Sequence, residues 1–269
     1  MKTLHKLTLL GILACSTLSA HAHRMFLVPS ATVVSGNAPW VTIDAAAATN
    51  VFEFDHVALK LDTLQITGPD GQTVKPENSY SGRFRSSFDV PLTQAGSYKV
   101  SLIGDNYFAS YKENGEIKRW RGSAAELAKA VPANASELQV SQRSSRVETF
   151  ITNGKPGGKA LTVTGKGLEL AAVTHPNDLV SGENASFQFL LDGKPAAHIK
   201  LELIPGGLRY RQKLNSQTYT TDDQGRFNVR WPQPGLYWLS AEAKDDHGAV
   251  APATTRTASY IATLEVLPE

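Results

Sequence analysis

Cysteine is almost missing from this 269-residue chain, which has only Cys15. Cys15 falls in the N-terminal leader described below, so the remainder offers no disulfide, no thiolate metal site and no cysteine nucleophile. A surplus of one charge is missing too. The chain has 27 basic and 25 acidic residues, and Lys2 and Lys6 belong to the leader, which leaves the rest neutral. Nothing then steers the protein toward nucleic acid or an anionic membrane surface. No apolar run is long enough for a transmembrane helix. There is no G-x-S-x-G elbow of the hydrolase type. No H-x-x-x-H or H-E-x-x-H spacing would place two metal ligands on one helix face. The acidic pairs Asp222-Asp223 and Asp245-Asp246 sit among turn residues and shape loops, so catalysis is not expected.

What is present begins at residue 1. Lys2 and Lys6 precede an apolar run from Leu7 to Ala14, and a small-residue stretch ends in Ala20-His21-Ala22. That order reads as a signal peptide over residues 1–22 with an A-x-A cleavage site, and it predicts export to the periplasm. Cys15 after Ile12-Leu13-Ala14 loosely fits a lipoprotein site, but ordinary cleavage fits better. Cutting after Ala22 makes His23 the first residue, and cutting after Ala20 exposes His21 instead. Either end carries a free amine beside an imidazole, a chelating pair suited to late first-row metals such as Cu, Ni, Fe or Zn.

The body of the chain is strand-like. Short runs such as Trp40 to Asp44, Phe84 to Val90 and Ser186 to Leu191 alternate apolar with polar and are bounded by Gly, Pro, Asp and Asn. Pro69-Asp70-Gly71 and Asp192-Gly193 are turns. Around 106–132 the texture becomes aromatic and basic. Ser123 and Glu126 there form a capping box ahead of a short helix through Ala130. Gly and Pro gather at Asn153 to Gly158. The spacing predicts an all-β chain of two tandem immunoglobulin-like β-sandwiches, over 23–165 and 166–269, with one short helix in the insertion of the first.

Several phrases carry a resemblance. They are Val51-Phe52-Glu53-Phe54-Asp55-His56, Lys118-Arg119-Trp120-Arg121-Gly122, Gly206-Gly207-Leu208-Arg209-Tyr210-Arg211, Trp231-Pro232-Gln233-Pro234-Gly235-Leu236-Tyr237-Trp238 and Tyr260 to Val266. Together they resemble a large family of Gram-negative periplasmic proteins labelled as a domain of unknown function. That family is similar to the periplasmic-facing component of nickel and cobalt uptake transporters. The resemblance implies a divalent transition metal (Ni, Co, Cu, Fe or Zn) held by the N-terminal His23, with His56 as a partner. It also implies work beside an outer-membrane metal or siderophore receptor, or an inner-membrane transport or reductase component.

Further candidates come from the residues themselves. Asp55 could ligate beside His56 or orient it. His175, in a turn near the joint of the two halves, is a third imidazole. His198 and His247 read as surface residues. Tyr111, Arg119, Trp120 and Arg121 could form a ligand or partner platform by stacking and bidentate Arg contacts, or could staple the insertion onto the sandwich. An N-terminal amine, its own imidazole and a second histidine would also suit a copper-dependent oxidative enzyme.

Overall fold

The computed structural model describes residues 23–132 and 134–269. The signal peptide expected over 1–22, with Cys15 and His21, lies outside the described residues. The alternating runs fold as strands. In the first half they are β1 (Arg24–Pro29), β2 (Val33–Val34), β3 (Trp40–Ala48), β4 (Val57–Ala58), β5 (Leu64–Thr67), β6 (Glu77–Ser81) and β7 (Ser86–Pro91). The long β8 (Gly96–Glu113), then β9 (Glu116–Gly122), helix α1 (Ala124–Ala130) and β10 (Ser136–Asn153) complete it. The second half holds β11 (Leu168–Ala172), β12 (Asn184–Leu191), β13 (Lys194–Pro195), β14 (Lys200–Pro205) and β15 (Gln217–Thr220). It ends with β16 (Arg226–Arg230), β17 (Gly235–Lys244) and β18 (Thr255–Val266). The helix starts at its capping residues: the Glu126 carboxylate accepts the Ser123 backbone N–H at 2.9 Å and its hydroxyl at 2.8 Å.

The strands form three sheets. The first runs β1-β3-β7-β6, with β4 on β3, and the third runs β11-β12-β13, with β16 on β12. Between them lies a sheet ordered β15-β14-β17-β18-β10-β8-β5, with β2 on β10 and β9 on β8. It belongs to both halves of the chain, because β10 and β18 pair in parallel from Ser141↔Thr255 to Thr149↔Thr263.

Side-chain alternation shows how the layers stack. On β18, Tyr260, Ala262 and Leu264 enter one apolar core with Phe187 and Phe189 of the third sheet. Ile261, between them, enters the other core with Phe26, Ile43 and Phe88 of the first sheet. Tyr237 and Leu239 against Trp238 on β17 divide the same way, as do Phe150 against Val147 and Ile151 on β10. The central strands are therefore covered on both faces, and each fully buried Leu, Ile or Phe contributes about 1.5–3 kcal/mol.

Each half also carries the corner of an immunoglobulin-like sandwich, where a tyrosine near the start of a late strand bonds back to the chain just before it. The Tyr98 hydroxyl donates to the Gln94 carbonyl at 2.9 Å, and the Tyr237 hydroxyl donates to that of Gln233 at 2.8 Å. Both corners are spelled Gln-x-Gly-x-Tyr, and Gly96 and Gly235 take φ of 120° and 130°, which glycine alone accepts readily.

On the face it turns to the third sheet, the central sheet carries a buried polar network. Glu148 accepts from Ser101 Oγ (2.7 Å), Arg146 Nη1 (3.2 Å) and the Tyr260 hydroxyl (2.8 Å). Arg146 also lies 3.5 Å from Glu169. Glu169 in turn accepts the backbone N–H groups of Thr164, Gly165 and Lys166. The network thereby fastens the connection between the halves onto the sheet. Burial, and then the adjacent Glu148 charge, pushes the Tyr260 hydroxyl well above its ordinary value. Removing the shared cation leaves two buried carboxylates uncompensated, so Arg146→Met is expected to destabilise the fold by about 3–5 kcal/mol. Arg146→Lys should recover only part of this, since one ammonium cannot serve both carboxylates as a planar fork does. Urea unfolding midpoints of the three proteins check both.

Candidate functional site

His23 and His56 approach one end of β3 from its two edges. His23 precedes β1, whose Arg24 lies opposite Ala48. His56 precedes β4, whose Val57 lies opposite Ala47. Because β1 already occupies one edge of β3 there, β4 takes the other. The start of β1 is anchored by the second half of the chain: Trp238 Nε1 donates to the Met25 carbonyl at 2.8 Å, and the Arg24 guanidinium sits 5.8 Å from the Trp238 ring. Arg24 also donates to the Thr49 carbonyl at 2.8 Å.

The Val51–His56 phrase works as a pinned loop. Phe52 and Phe54 meet Phe26 edge-on at 5.5 and 5.7 Å, and the Arg85 guanidinium lies 5.0 Å from the Phe54 ring. Asp55 Oδ1 accepts the Thr49 N–H at 3.0 Å, closing the loop. His56 follows directly, and its ring lies parallel to that of His23 within 1°, the centroids 3.4 Å apart. Both histidines are exposed.

Two imidazoles in one patch supply two borderline nitrogen donors. Stacked rings direct their in-plane lone pairs side by side rather than at a common point, so sharing one ion requires the rings to splay by side-chain rotation. Among the described residues, no group of three or more His, Cys, Asp or Glu side chains is placed to hold a metal. Asp55 stands next to His56 in the chain, with one oxygen committed to the loop.

His175 belongs to a different assembly, at the joint of the two halves. Its Nδ1 accepts the Asn177 N–H at 3.1 Å, and its Nε2 lies 2.8 Å from Ser97 Oγ. The first bond requires a bare Nδ1, so the neutral ring carries its proton on Nε2 and donates it to Ser97. Both nitrogens are thus engaged, and the structure does not bring His175 to the His23–His56 pair. His198 is exposed and lies 3.0 Å from Asp223. His247 sits in a short 3-10 turn, Asp246–Gly248.

The aromatic and basic segment divides by strand alternation. β8 runs on past the first sheet and, with β9, β10 and β18, forms an arm. Tyr107, Ala109 and Tyr111 lie on one face and pack with Leu127, Val140 and Ala253, and Trp120 is partly buried against them. Arg119 and Arg121 lie on the other face, opposite Ser110 and Phe108. Tyr111 and Trp120 therefore hold α1 and the arm together, while the arginines face solvent. The sequence reading missed Arg143, which sits two residues beyond the partner of Phe108 on β10; only the pairing register identifies it.

A cleft of about 670 Å3 opens beside the buried network, with Arg146, Arg256, Asp105 and Asp192 among its lining. Its two guanidiniums are already matched. Arg256 holds Asp192 through two bonds, of 2.5 and 3.1 Å, which keep the Asp192 carboxyl below its ordinary value.

Two stacked sandwich units sharing a sheet define an all-β protein of immunoglobulin-like architecture. Residues 20–245 match the family described as Domain of unknown function (DUF4198), and the chain belongs to that family. No curated protein matches it. Among solved structures it is similar to the D0-D1 domain of intimin, at 12% identity over 90% of this chain and 97% of that one, with a TM-score of 0.23. The human OSCAR ligand-binding domain aligns at 16% identity over 91% and 100%, with a TM-score of 0.21. A DUF3823 family protein from Bacteroides uniformis aligns at 13% identity over 77% and 88%, with a TM-score of 0.24. Scores this low carry nothing about function.

Burial holds the His175 ring below its ordinary value of 6.5. On acidification the unfolded chain takes up this proton before the folded one does, so the contribution of His175 is complete above that value and is lost as pH falls through the folded value. The urea midpoint is expected to fall between pH 7.5 and pH 5.5, and to fall less in His175→Gln.

Proposed function

We propose that this chain is exported to the periplasm, cleaved after Ala22, and binds one divalent transition metal through its new N-terminus as an accessory to metal uptake or trafficking. The ligands are the His23 amine, the His23 imidazole and the His56 imidazole. The observation that carries the reading is the placement of the His23 and His56 rings 3.4 Å apart at the end of β3. The third donor costs no further residue, because cleavage creates it on His23 itself. Three nitrogens with open positions favour the later metals of the Ni, Co, Cu, Fe and Zn set, with copper first in the ordinary affinity order.

Exposure of both histidines supports a delivery role over a catalytic one. An ion at the surface can pass by ligand exchange to an outer-membrane receptor or to an inner-membrane transport or reductase component. Asp55 supports the site through the loop it closes, orienting His56.

Protein beginning at His23 is expected to hold one metal ion per chain, read by intact mass and elemental analysis. His56→Ala should weaken binding by about 100-fold or more, at least the loss typical of removing an outer-shell partner. A four-residue Gly-Ser-Gly-Ser extension ahead of His23 keeps both imidazoles, converts the His23 amine to an amide and puts no histidine within three residues of the new N-terminus, so it should weaken binding to a similar degree. A correctly processed chain that retains none of Cu, Ni, Co, Fe or Zn would overturn the proposal.

A further inference from the structure

The arm has one covered face and one bare face. On β8 the first sheet covers Tyr98, Val100 and Leu102, and the same face continues uncovered through Phe108 and Ser110. Phe108 lies between strands that each bring it a guanidinium: Arg121 of β9 at 5.3 Å from the ring centroid and Arg143 of β10 at 5.1 Å. Arg119 stands two residues along β9 on the same face, opposite Ser110. All three arginines are exposed. Among the described residues none of them has a carboxylate within 4.0 Å, whereas Lys112 on this face is matched by Glu137 at 2.6 Å. Beside Phe108 a depression of about 530 Å3 is lined by Ser110, Arg119, Gln139, Ser141 and Thr255, with no acidic side chain.

Like charges gathered without counter-ions are unfavourable unless something answers them. Here the ring holds two of the arginines in place through cation–π contact, which reduces the side-chain entropy a ligand would have to remove. Hydroxyls and guanidiniums present the donors that carboxylate and phosphate oxygens accept. Alternate residues on a strand are about 7 Å apart, and strands two apart are separated by about 10 Å. A frame carrying several anionic groups matches arginines spread over such spans better than a single monoanion does. We infer that this face binds a small organic polyanion, with two or three carboxylate or phosphate groups on a carbon frame that rests against Phe108. The inference is independent of the metal reading, since it uses no residue of the His23–His56 pair.

The test is calorimetric titration of the full processed chain, freed of metal with EDTA and then dialysed free of EDTA, against citrate and against inositol hexakisphosphate at constant ionic strength. Saturable 1:1 binding of either is expected. Arg121→Gln and Arg143→Gln should each weaken it roughly tenfold or more, the loss of a charged hydrogen bond. The exposed positions should leave the far-UV circular dichroism unchanged. The His23→Ala/His56→Ala double variant should bind as the parent does. Three results would overturn the assignment: no binding of either probe at millimolar concentration, binding unchanged in the Arg119→Gln/Arg121→Gln/Arg143→Gln triple variant, or binding lost in the histidine variant. Retention on a polymeric polyanion without binding of either probe would overturn it equally.

Discussion

The parallel pairing of β10 with β18 is the constraint from which the remaining architecture follows. Those nine register pairs, from Ser141↔Thr255 to Thr149↔Thr263, join strands more than a hundred residues apart and make one sheet out of two half-chains. A parallel pair needs a long crossover and is normally buried on both faces, and here it is. The first sheet covers one face and the third covers the other, so Ile261 and Tyr260, neighbours in sequence, belong to different cores. An antiparallel sandwich standing alone would have left one of those faces to water.

Covering both faces has a polar consequence. Strand positions with polar side chains are enclosed between the central and third sheets. Ser101, Arg146, Glu148 and Glu169 are all buried, and they are tolerable there because each is matched by a hydrogen-bonding or ionic partner. The 670 Å3 cleft and the face around Phe108 differ in how their arginines are matched. In the cleft every guanidinium has its carboxylate, whereas on the arm Arg121 and Arg143 have only the Phe108 ring.

The shared sheet also sets the position of the paired histidines. β1 begins next to Trp238, a residue of β17 in the second half, which holds the Met25 carbonyl and underlies Arg24. His23 is thus located by residues from both halves, and His56 by a loop that Phe52, Phe54 and Asp55 fix from within the first. The metal site proposed for this pair would have its backbone fixed by these contacts and its rings free to turn, which would suit an ion that is taken up and passed on.

The all-β class, the strand spacing and the short capped helix were legible in the sequence, because alternation and turn chemistry are local properties. The Gln-x-Gly-x-Tyr corners, although each closes within five residues, were recognised only from the Tyr98 and Tyr237 hydrogen bonds. His23 and His56 could be named as candidates from residue type and from the resemblance of Val51 to His56, but their proximity could not, as it depends on β1 and β4 taking opposite edges of β3. The segment from Tyr107 to Arg121 read as one aromatic and basic cluster. Only strand pairing separated Tyr111 and Trp120, turned inward, from Arg119 and Arg121, turned outward, and added Arg143 from β10. The sequence by itself determined which segments are strands and where they turn, since those choices rest on backbone preferences and the period-two burial of single strands. The tertiary structure alone decided which strands share a sheet and which face of each meets water, because those depend on contacts between residues far apart in the chain.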